Sequence, residues 1–269
     1  MMTQMHHGHK PRKRFGQHFL HDQYIIDAII NAIAPQNGEL MLEIGPGLGA
    51  ITQKIGKLID ALTVIEIDRD LASRLKHHSS LKGKITIFQQ DALKFDFSGF
   101  SKKKNQLLRI FGNLPYNIST PLIFYLFSHI SVICDMYFML QQEVADRLLA
   151  YPGNKNYGRL SVMSQYYCRM FPVIPVPPNA FIPPPKVNSK VVRFIPIRTV
   201  QQSPQFIYDL HHITTEAFNQ RRKKIRNSLG YLISSKRLIE MNISPELRAE
   251  DVSVFQYCQL AEKLAKNDQ

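Results

Sequence analysis

The chain has 269 residues, 44% of them hydrophobic, which is enough to bury a full core and to build one large domain plus a small one. Its 34 Lys and Arg outnumber 21 Asp and Glu, and the net charge of +13 points to a polyanionic partner such as a nucleic-acid backbone. Cys134, Cys168 and Cys258 are scattered without a C-x-x-C pair, so neither a disulfide framework nor a metal site is expected, and no apolar run is long enough to span a bilayer. The chain starts with a tail-like "HHGH" at residues 6 to 9, then a basic run with Lys10, Arg12, Lys13 and Arg14 ahead of the first acid, Asp22. No hydrophobic signal core follows that run, and a cytoplasmic protein is expected.

Through the first 150 or so residues, short apolar runs alternate with helical patterns: "LMLEIG" then "AITQKIGKLI", "LTVIEID" then "RDLASRLKHH", "KITIFQQ", "LLRIFGN" then "TPLIFYLFSHI", and "SVICDMYFML" then "QQEVADRLLA". Near-continuous apolar strands interleaved with helices predict a doubly wound α/β domain with a mostly parallel sheet. In "NISTPLIF" Ser119 or Thr120 can cap a helix, with Pro121 at its first position, where no N–H is needed. From Phe171 the chain turns Pro-rich, which predicts a stiff extended loop and then a late strand over about Lys190 to Ile195. After about Val200 the pattern is helical: Phe206, Leu210, Ile213 and Ala217 share one face, and so do Val254, Cys258, Ala261 and Ala265. The expected division is the α/β domain over residues 1–199 and a small all-helical domain over 200–269. Arg221, Arg222, Lys223, Lys224 and Arg226 form a basic cluster in the latter, suited to phosphates or else a solvated face.

"LEIGPGLGAIT" follows the first strand of this series and opens a helix. Gly45, Gly47 and Gly49 allow a tight turn and close approach of a ligand to free N–H groups at the helix start. Gly45, Gly47 and Ala50 also satisfy the dinucleotide fingerprint, so the loop alone does not separate NAD from S-adenosylmethionine. In "VIEIDRD" Glu66 is placed to accept both ribose hydroxyls of a nucleoside cofactor, with Asp68 as competitor. Asp91, beside Ala92, is placed to receive the exocyclic amine of the cofactor's adenine, or else to cap a helix.

"FGNLPYNIST" breaks the tie. The exocyclic amine of adenine is a poor nucleophile because its lone pair is delocalised into the ring. Two acceptors held against its two hydrogens localise that pair and stabilise the positive charge that develops on methyl transfer. Asn113 supplies one through its side-chain oxygen. The Leu114 carbonyl supplies the other, because Pro115 biases Leu114 to an extended conformation and brings no competing N–H. Tyr116 offers a flat face for the base. Phe181, in the "NAFIPPPKV" loop, is the candidate for a second face, or else a buried anchor of that loop.

These motifs in this order resemble the small-subunit (16S) ribosomal RNA adenine N6,N6-dimethyltransferase family over nearly the whole chain. "RKRFGQHFLHD" is similar to the family's N-terminal motif, "LEIGPGLGAIT" to its cofactor loop, "GNLPYNISTPL" to its catalytic loop and "FIPPPKVNS" to its second base-contacting loop. "AFNQRRKKIRNSL" and "ISPELRAEDVSVFQYCQLA" are similar to its C-terminal domain. The resemblance implies a Rossmann-like methyltransferase domain and transfer of methyl groups from S-adenosyl-L-methionine to N6 of two adjacent adenosines near the 3′ end of 16S rRNA. It further implies a monomer acting on small-subunit RNA during assembly, with His18, Leu20, Gly45, Glu66, Asp91 and Asn113 lining the cofactor site. His18 departs from the Asn of many relatives; this puts its side-chain contact in question, while a backbone contact survives the change. The rival readings are a large-subunit rRNA adenine methyltransferase of the antibiotic-resistance type and a non-catalytic RNA-binding assembly factor. Thr120-Pro121-Leu122 and the "RAE" stretch favour the small-subunit type.

Overall fold

The structure is a computed structural model that describes residues 11–12, 16–198 and 203–265. Lys10, Lys13, Arg14 and the "HHGH" stretch lie outside the described residues. The strands are β1 (Phe19–Leu20), β2 (Leu40–Ile44), β3 (Leu62–Ile65), β4 (Ile85–Phe88), β5 (Leu108–Asn113), β6 (Ile133–Gln141), β7 (Cys168–Val176), β8 (Phe181–Ile182) and β9 (Ser189–Pro196). The helices begin with α1 (Gln23–Ile33), α2 (Ala50–Leu58), α3 (Arg69–Lys76), α4 (Phe97–Lys104), α5 (Ser119–Ser128) and α6 (Gln142–Leu149). They continue with α7 (Arg159–Tyr167), α8 (Pro204–Asn219), α9 (Ile225–Ser228), α10 (Ser235–Glu240) and α11 (Val254–Ala265).

Seven strands form one sheet in the order β4-β3-β2-β5-β6-β9-β7. The five from β4 to β6 are mutually parallel and β9 runs antiparallel to β6. Every residue of β2 and of β3 is buried, which is why both read as unbroken apolar runs rather than alternating ones. On one face Ile26, Ile29 and Ile33 of α1 and Ile55 of α2 pack into a cluster with Met41, Val64, Phe111 and Met139 of the strands. Each such side chain contributes about 1.5–3 kcal/mol by leaving water. Strand order reverses around β2, with β3 on one side and β5 on the other. A crevice therefore opens beyond the carboxyl ends of these strands, where doubly wound sheets bind ligands.

A separate two-stranded sheet pairs β1 with β8, Phe19 opposite Ile182 and Leu20 opposite Phe181. It ties the N-terminal segment to the Pro-rich stretch, helped by the His21 N–H donating to the Ala180 carbonyl at 3.0 Å. The Pro-rich stretch is more regular than expected. Pro172 and Pro175 lie inside β7 at the sheet edge, where a missing N–H breaks no ladder, and the loop proper starts only after Val176. In α5 the cap is Ile118 rather than Ser119 or Thr120 and the helix starts at Ser119, so Pro121 is its third residue instead of its first, within the first turn, where no intrahelical N–H is needed.

The chain divides into two compact units. The first runs up to Ala145 and takes in Met170–Pro196; the second is Asp146–Arg169 together with the described residues from Ile197 on. The division differs from the single boundary expected at residue 199. The reason is α7: Tyr166 lies 5.5 Å from Phe206 between ring centroids, and Val162 and Met163 are fully buried. These apolar side chains have their partners on α8. In that helix Phe206, Leu210, Ile213 and Ala217 are buried as the spacing predicts. In α11 the buried face is instead Tyr257, Leu260 and Ala261, with Val254 and Cys258 half-buried. The Tyr257 hydroxyl draws that face round by donating to the Ala249 carbonyl at 2.8 Å. The Ala265 side chain is outside what is described.

Gly112 on β5 shows how tightly the sheet holds the strand that ends in Asn113. A Cβ there would lie 2.3 Å from the Ile44 carbonyl oxygen of β2. Gly112→Ala is expected to cost about 1–3 kcal/mol of stability through that overlap, measured by denaturant unfolding. An unchanged midpoint would show that β2 and β5 spread without penalty.

Candidate cofactor and catalytic site

The crevice holds a cavity that is open to solvent and formed wholly within the first unit. Its floor is the turn between β2 and α2. Gly45, Gly47 and Gly49 all adopt positive φ, at 67°, 58° and 82°, which side chains with a Cβ rarely tolerate. A Cβ on Gly47 would also press to 3.2 Å from the Phe19 ring. The turn thus brings backbone N–H groups and the start of α2 up to the cavity, as an anionic or polar ligand group requires.

Glu66, just past β3, lines the cavity and is 5% exposed. The Gly47 N–H donates to its Oε2 at 3.1 Å and the Asp68 N–H to its Oε1 at 2.9 Å. Burial still pushes this carboxyl up to about 7, against the pull of those donors. Asp68, its competitor, is fully buried away from the cavity. It accepts from the Asp70 N–H at 3.1 Å, capping α3, from Gln17 at 3.0 Å and from the Arg12 guanidinium at 3.0 Å. Asp91 lines the cavity beside Ala92, and it also accepts the Leu93 N–H at 3.0 Å to cap a short 3₁₀ turn. Glu43 was missed. It sits next to last in β2, 2% exposed, and faces the Thr52 hydroxyl without a well-formed hydrogen bond to its Oε2. Burial pushes it up to about 8, and the nearby Glu66 charge adds to the rise. A lone acid inside an otherwise apolar strand is the signal that could have found it.

Asn113 ends β5, and its side-chain Nδ2 donates to the His18 carbonyl at 2.9 Å. A carbonyl can accept only from the NH₂ end, so the amide orientation is set and Oδ1 is the atom left to accept. The Leu114 N–H donates to the Met139 carbonyl at 3.2 Å and the Pro115 carbonyl accepts from Ile118 at 3.1 Å, which pins the corner on both sides. The Tyr116 hydroxyl shares a hydrogen bond with Ser189 at 2.7 Å, and burial raises its pKa. One face of that ring is already taken: the His18 ring stacks on it at 5.5 Å, tilted by 26°. His18 Nδ1 in turn donates to the Pro183 carbonyl at 2.7 Å. Leu20 lines the cavity and is largely buried.

Phe181 is not where the second stacking face requires it. It is 1% exposed, packed in the main hydrophobic cluster opposite Leu20, and does not line the cavity. The anchor alternative describes its place in this structure, because a ring buried on both faces has none to present to a base. The basic cluster also divides. Arg221 donates to Glu250 at 2.6 Å and to the Lys155 carbonyl at 2.5 Å, and Lys224 and Arg226 both engage Glu246. Arg222 and Lys223 are exposed, with no carboxylate bound to them among the described residues.

Charge decides between the two cofactors. Among the described residues, three acids, Glu43, Glu66 and Asp91, line the cavity and no Lys or Arg does. A pyrophosphate would meet only repulsion from side chains there, whereas a cation is favoured. The model of the family described as ribosomal RNA adenine dimethylase matches residues 8–266. The chain belongs to that family. It is 58% identical over 267 residues to the ribosomal RNA small subunit methyltransferase A of Escherichia coli (strain 55989 / EAEC), covering 99% of this chain and 98% of that one. The enzyme of the same name from Shigella flexneri is 59% identical over the same span. Among solved structures, a dimethyladenosine transferase from Plasmodium falciparum superposes with a TM-score of 0.81 at 26% identity, over 93% of this chain and 98% of that one. The 23S rRNA methyltransferase ErmE superposes at 0.70 with 24% identity over 93% and 100%, and shows the shared fold. The fold is the Rossmann-like one of S-adenosylmethionine-dependent methyltransferases, and S-adenosylmethionine is the cofactor of this rRNA adenine dimethyltransferase. The residues present fit it: a glycine cradle, an acid held by that turn's N–H, and a second buried acid in a wall whose described residues include no Lys or Arg. Among the described residues no helix is long and apolar enough to cross a membrane, and no group of side chains is arranged to hold a metal.

Both raised carboxyls bind more protons in the folded cofactor-free chain than in the unfolded one between their ordinary value of 4.5 and about 7 and 8. Their stabilising contribution is present below about 4.5 and is lost as pH rises to about 8. Glu43→Gln, which cannot ionise, is expected to gain in Tm relative to the unsubstituted protein as pH goes from 5.5 to 8, without cofactor. A Tm difference constant across that range would overturn the assigned burial cost.

Proposed function

We propose that the protein transfers methyl groups from S-adenosylmethionine to N6 of two adjacent adenosines near the 3′ end of 16S rRNA, giving N6,N6-dimethyladenosines. We further propose that it acts as a cytoplasmic monomer on the small ribosomal subunit or its assembly precursor. The supporting observation is Asn113, whose NH₂ end is held by the His18 carbonyl and whose oxygen is left to accept on the wall of a cavity suited to a cationic cofactor. The cofactor supplies an activated methyl. Asn113 Oδ1 and the Leu114 carbonyl receive the two hydrogens of the adenine amine, turn its lone pair out of the ring plane and stabilise the charge that forms on nitrogen. No general base is required first, because the proton leaves after the nitrogen has become cationic.

His18, Leu20, Gly45, Gly47, Gly49, Glu66, Asp91, Ala92 and Asn113 form the cofactor site in this reading, with Glu66 on the ribose and Asp91 on the adenine. Tyr116 stacks on the target base with the face that His18 leaves open. One aromatic face returns about 1–3 kcal/mol, against a few kcal/mol to unstack the base. With Phe181 buried, the balance must come from RNA contacts elsewhere on the protein.

The test is transfer of labelled methyl from S-adenosylmethionine to under-methylated small subunits, followed by nucleoside analysis. N6,N6-dimethyladenosine confined to the 16S 3′ region is the expected result. Label in large-subunit RNA would replace the substrate assignment, and tight particle binding without label would leave only a binding role. Asn113→Ala is expected to slow transfer by roughly a hundredfold or more with little change in RNA binding. Near-normal turnover would remove Asn113 from the chemistry. Arg222→Ala with Lys223→Ala is expected to weaken RNA binding and to flatten its salt dependence by about 1.5 in the log–log slope, since these two are the cations of the cluster left for phosphates. The same slope in the double variant would make the cluster a solvated face.

A further inference from the structure

The Tyr116 ring is held at its tip as well as on its face. Its hydroxyl shares a hydrogen bond of 2.7 Å with Ser189, the first residue of β9, which is 0% exposed and does not line the cavity. That contact sits on the same framework as the acceptor pair. Ser189 lies opposite Gln141 on β6, and two residues earlier on that strand Met139 lies beside Asn113 and takes the Leu114 N–H at 3.2 Å. Entry to β9 is fixed in turn by the Gln142 N–H, which donates to the Asn188 carbonyl at 2.9 Å. One strand therefore sets both the corner that receives the amine and, through Ser189, the tilt of the ring beside it. The His18 ring closes one face of Tyr116 and leaves the other to a ligand. Swinging the ring away would break a hydrogen bond that Ser189, sealed from water, cannot replace with solvent.

Two methyl transfers to one nitrogen place unequal demands on this arrangement. In each, the N6 lone pair forms an N–C bond as the methyl's bond to sulfur breaks, and the nitrogen, now cationic, loses one proton to water. Before the first transfer N6 carries two hydrogens, one for Asn113 Oδ1 and one for the Leu114 carbonyl. Before the second it carries one hydrogen and a methyl, so one acceptor has nothing to receive, and the base is held by one hydrogen bond and by its stack. We infer that Ser189 is a positioning residue for the target base, acting through the Tyr116 hydroxyl, and that the second transfer depends on it more than the first. The inference rests on adenine N6 dimethylation with Tyr116 as the platform, and adds what carries the reaction on to the dimethyl product.

The experiment follows both transfers by nucleoside analysis over time, with the full-length protein in excess over under-methylated small subunits and S-adenosylmethionine saturating. The unsubstituted protein is expected to pass through N6-methyladenosine with little accumulation. Ser189→Ala is expected to slow the first transfer by about twofold and the second by about tenfold, so that N6-methyladenosine accumulates while the KM for S-adenosylmethionine stays the same. Tyr116→Phe keeps the ring, removes the same hydrogen bond from its other side, and is expected to give the same accumulation. The double variant is expected to be no worse than either single one, as befits one shared interaction. Equal slowing of both transfers or unchanged rates in Ser189→Ala, additive losses in the double variant, or a higher KM for the cofactor would each overturn the proposal while leaving dimethylation in place. No methylated adenosine from the unsubstituted protein would instead remove the proposed reaction, and this inference with it.

Discussion

Parallel strands that share a sheet all end at the same edge, and the site depends on that constraint. β4, β3, β2 and β5 are neighbours and point the same way, so residues that follow them in sequence arrive together: Asp91, Glu66, the glycine turn and Asn113. The hydrogen-bonded ladder sets how far each reaches. Gly112 lies against the Ile44 carbonyl so closely that Asn113 can shift only if β2 shifts with it. The glycine turn and the Asn113 corner, carried by adjacent strands, are therefore held at a fixed separation by the most buried part of the protein.

Electrostatics inside the cavity oppose those of the chain. With a net charge of +13 the protein attracts a polyanion as a whole, yet among the described residues the cavity is lined by three acids and no Lys or Arg. The two signs suit two kinds of partner, a phosphate backbone at the exposed cations and a small cation at the buried acids. Burial does more than shape the pocket. It makes ionisation of Glu43 and Glu66 costly when no ligand is present, so the charge state of the wall and the occupancy of the site are coupled.

The N-terminal segment becomes part of the site through a few polar contacts. Arg12 and Gln17 bind Asp68, while the His18 carbonyl holds the Asn113 amide and the His18 ring covers one face of Tyr116. Pairing of β1 with β8 anchors the same segment to the Pro-rich stretch. The departure at His18 is thus absorbed, since the contact that orients Asn113 comes from the backbone, which any residue supplies.

Local patterns in the chain were enough to determine the alternating α/β order, the glycine turn, the Asn-Leu-Pro-Tyr corner and the family they belong to. These are written in short-range rules of strand burial, glycine conformation and turn chemistry, and they hold whatever packs around them. Other features were decided only by contacts distant in sequence. Glu66 and Asp68 are two residues apart and chemically alike; only the arrival of Arg12, Gln17 and the α3 N-terminus assigns Asp68 to structure and leaves Glu66 to the cavity. Phe181 reads as a loop aromatic until β1 lies across it and closes it into the core. Arg221, Lys224 and Arg226 read as free cations until Glu250 and Glu246 fold back on them. Glu43 is one acid in a strand until burial, with no well-formed hydrogen bond to its Oε2, gives it its charge problem. A side chain's type is a property of the chain, but its exposure and its partners belong to the fold, and those determine what it is free to bind.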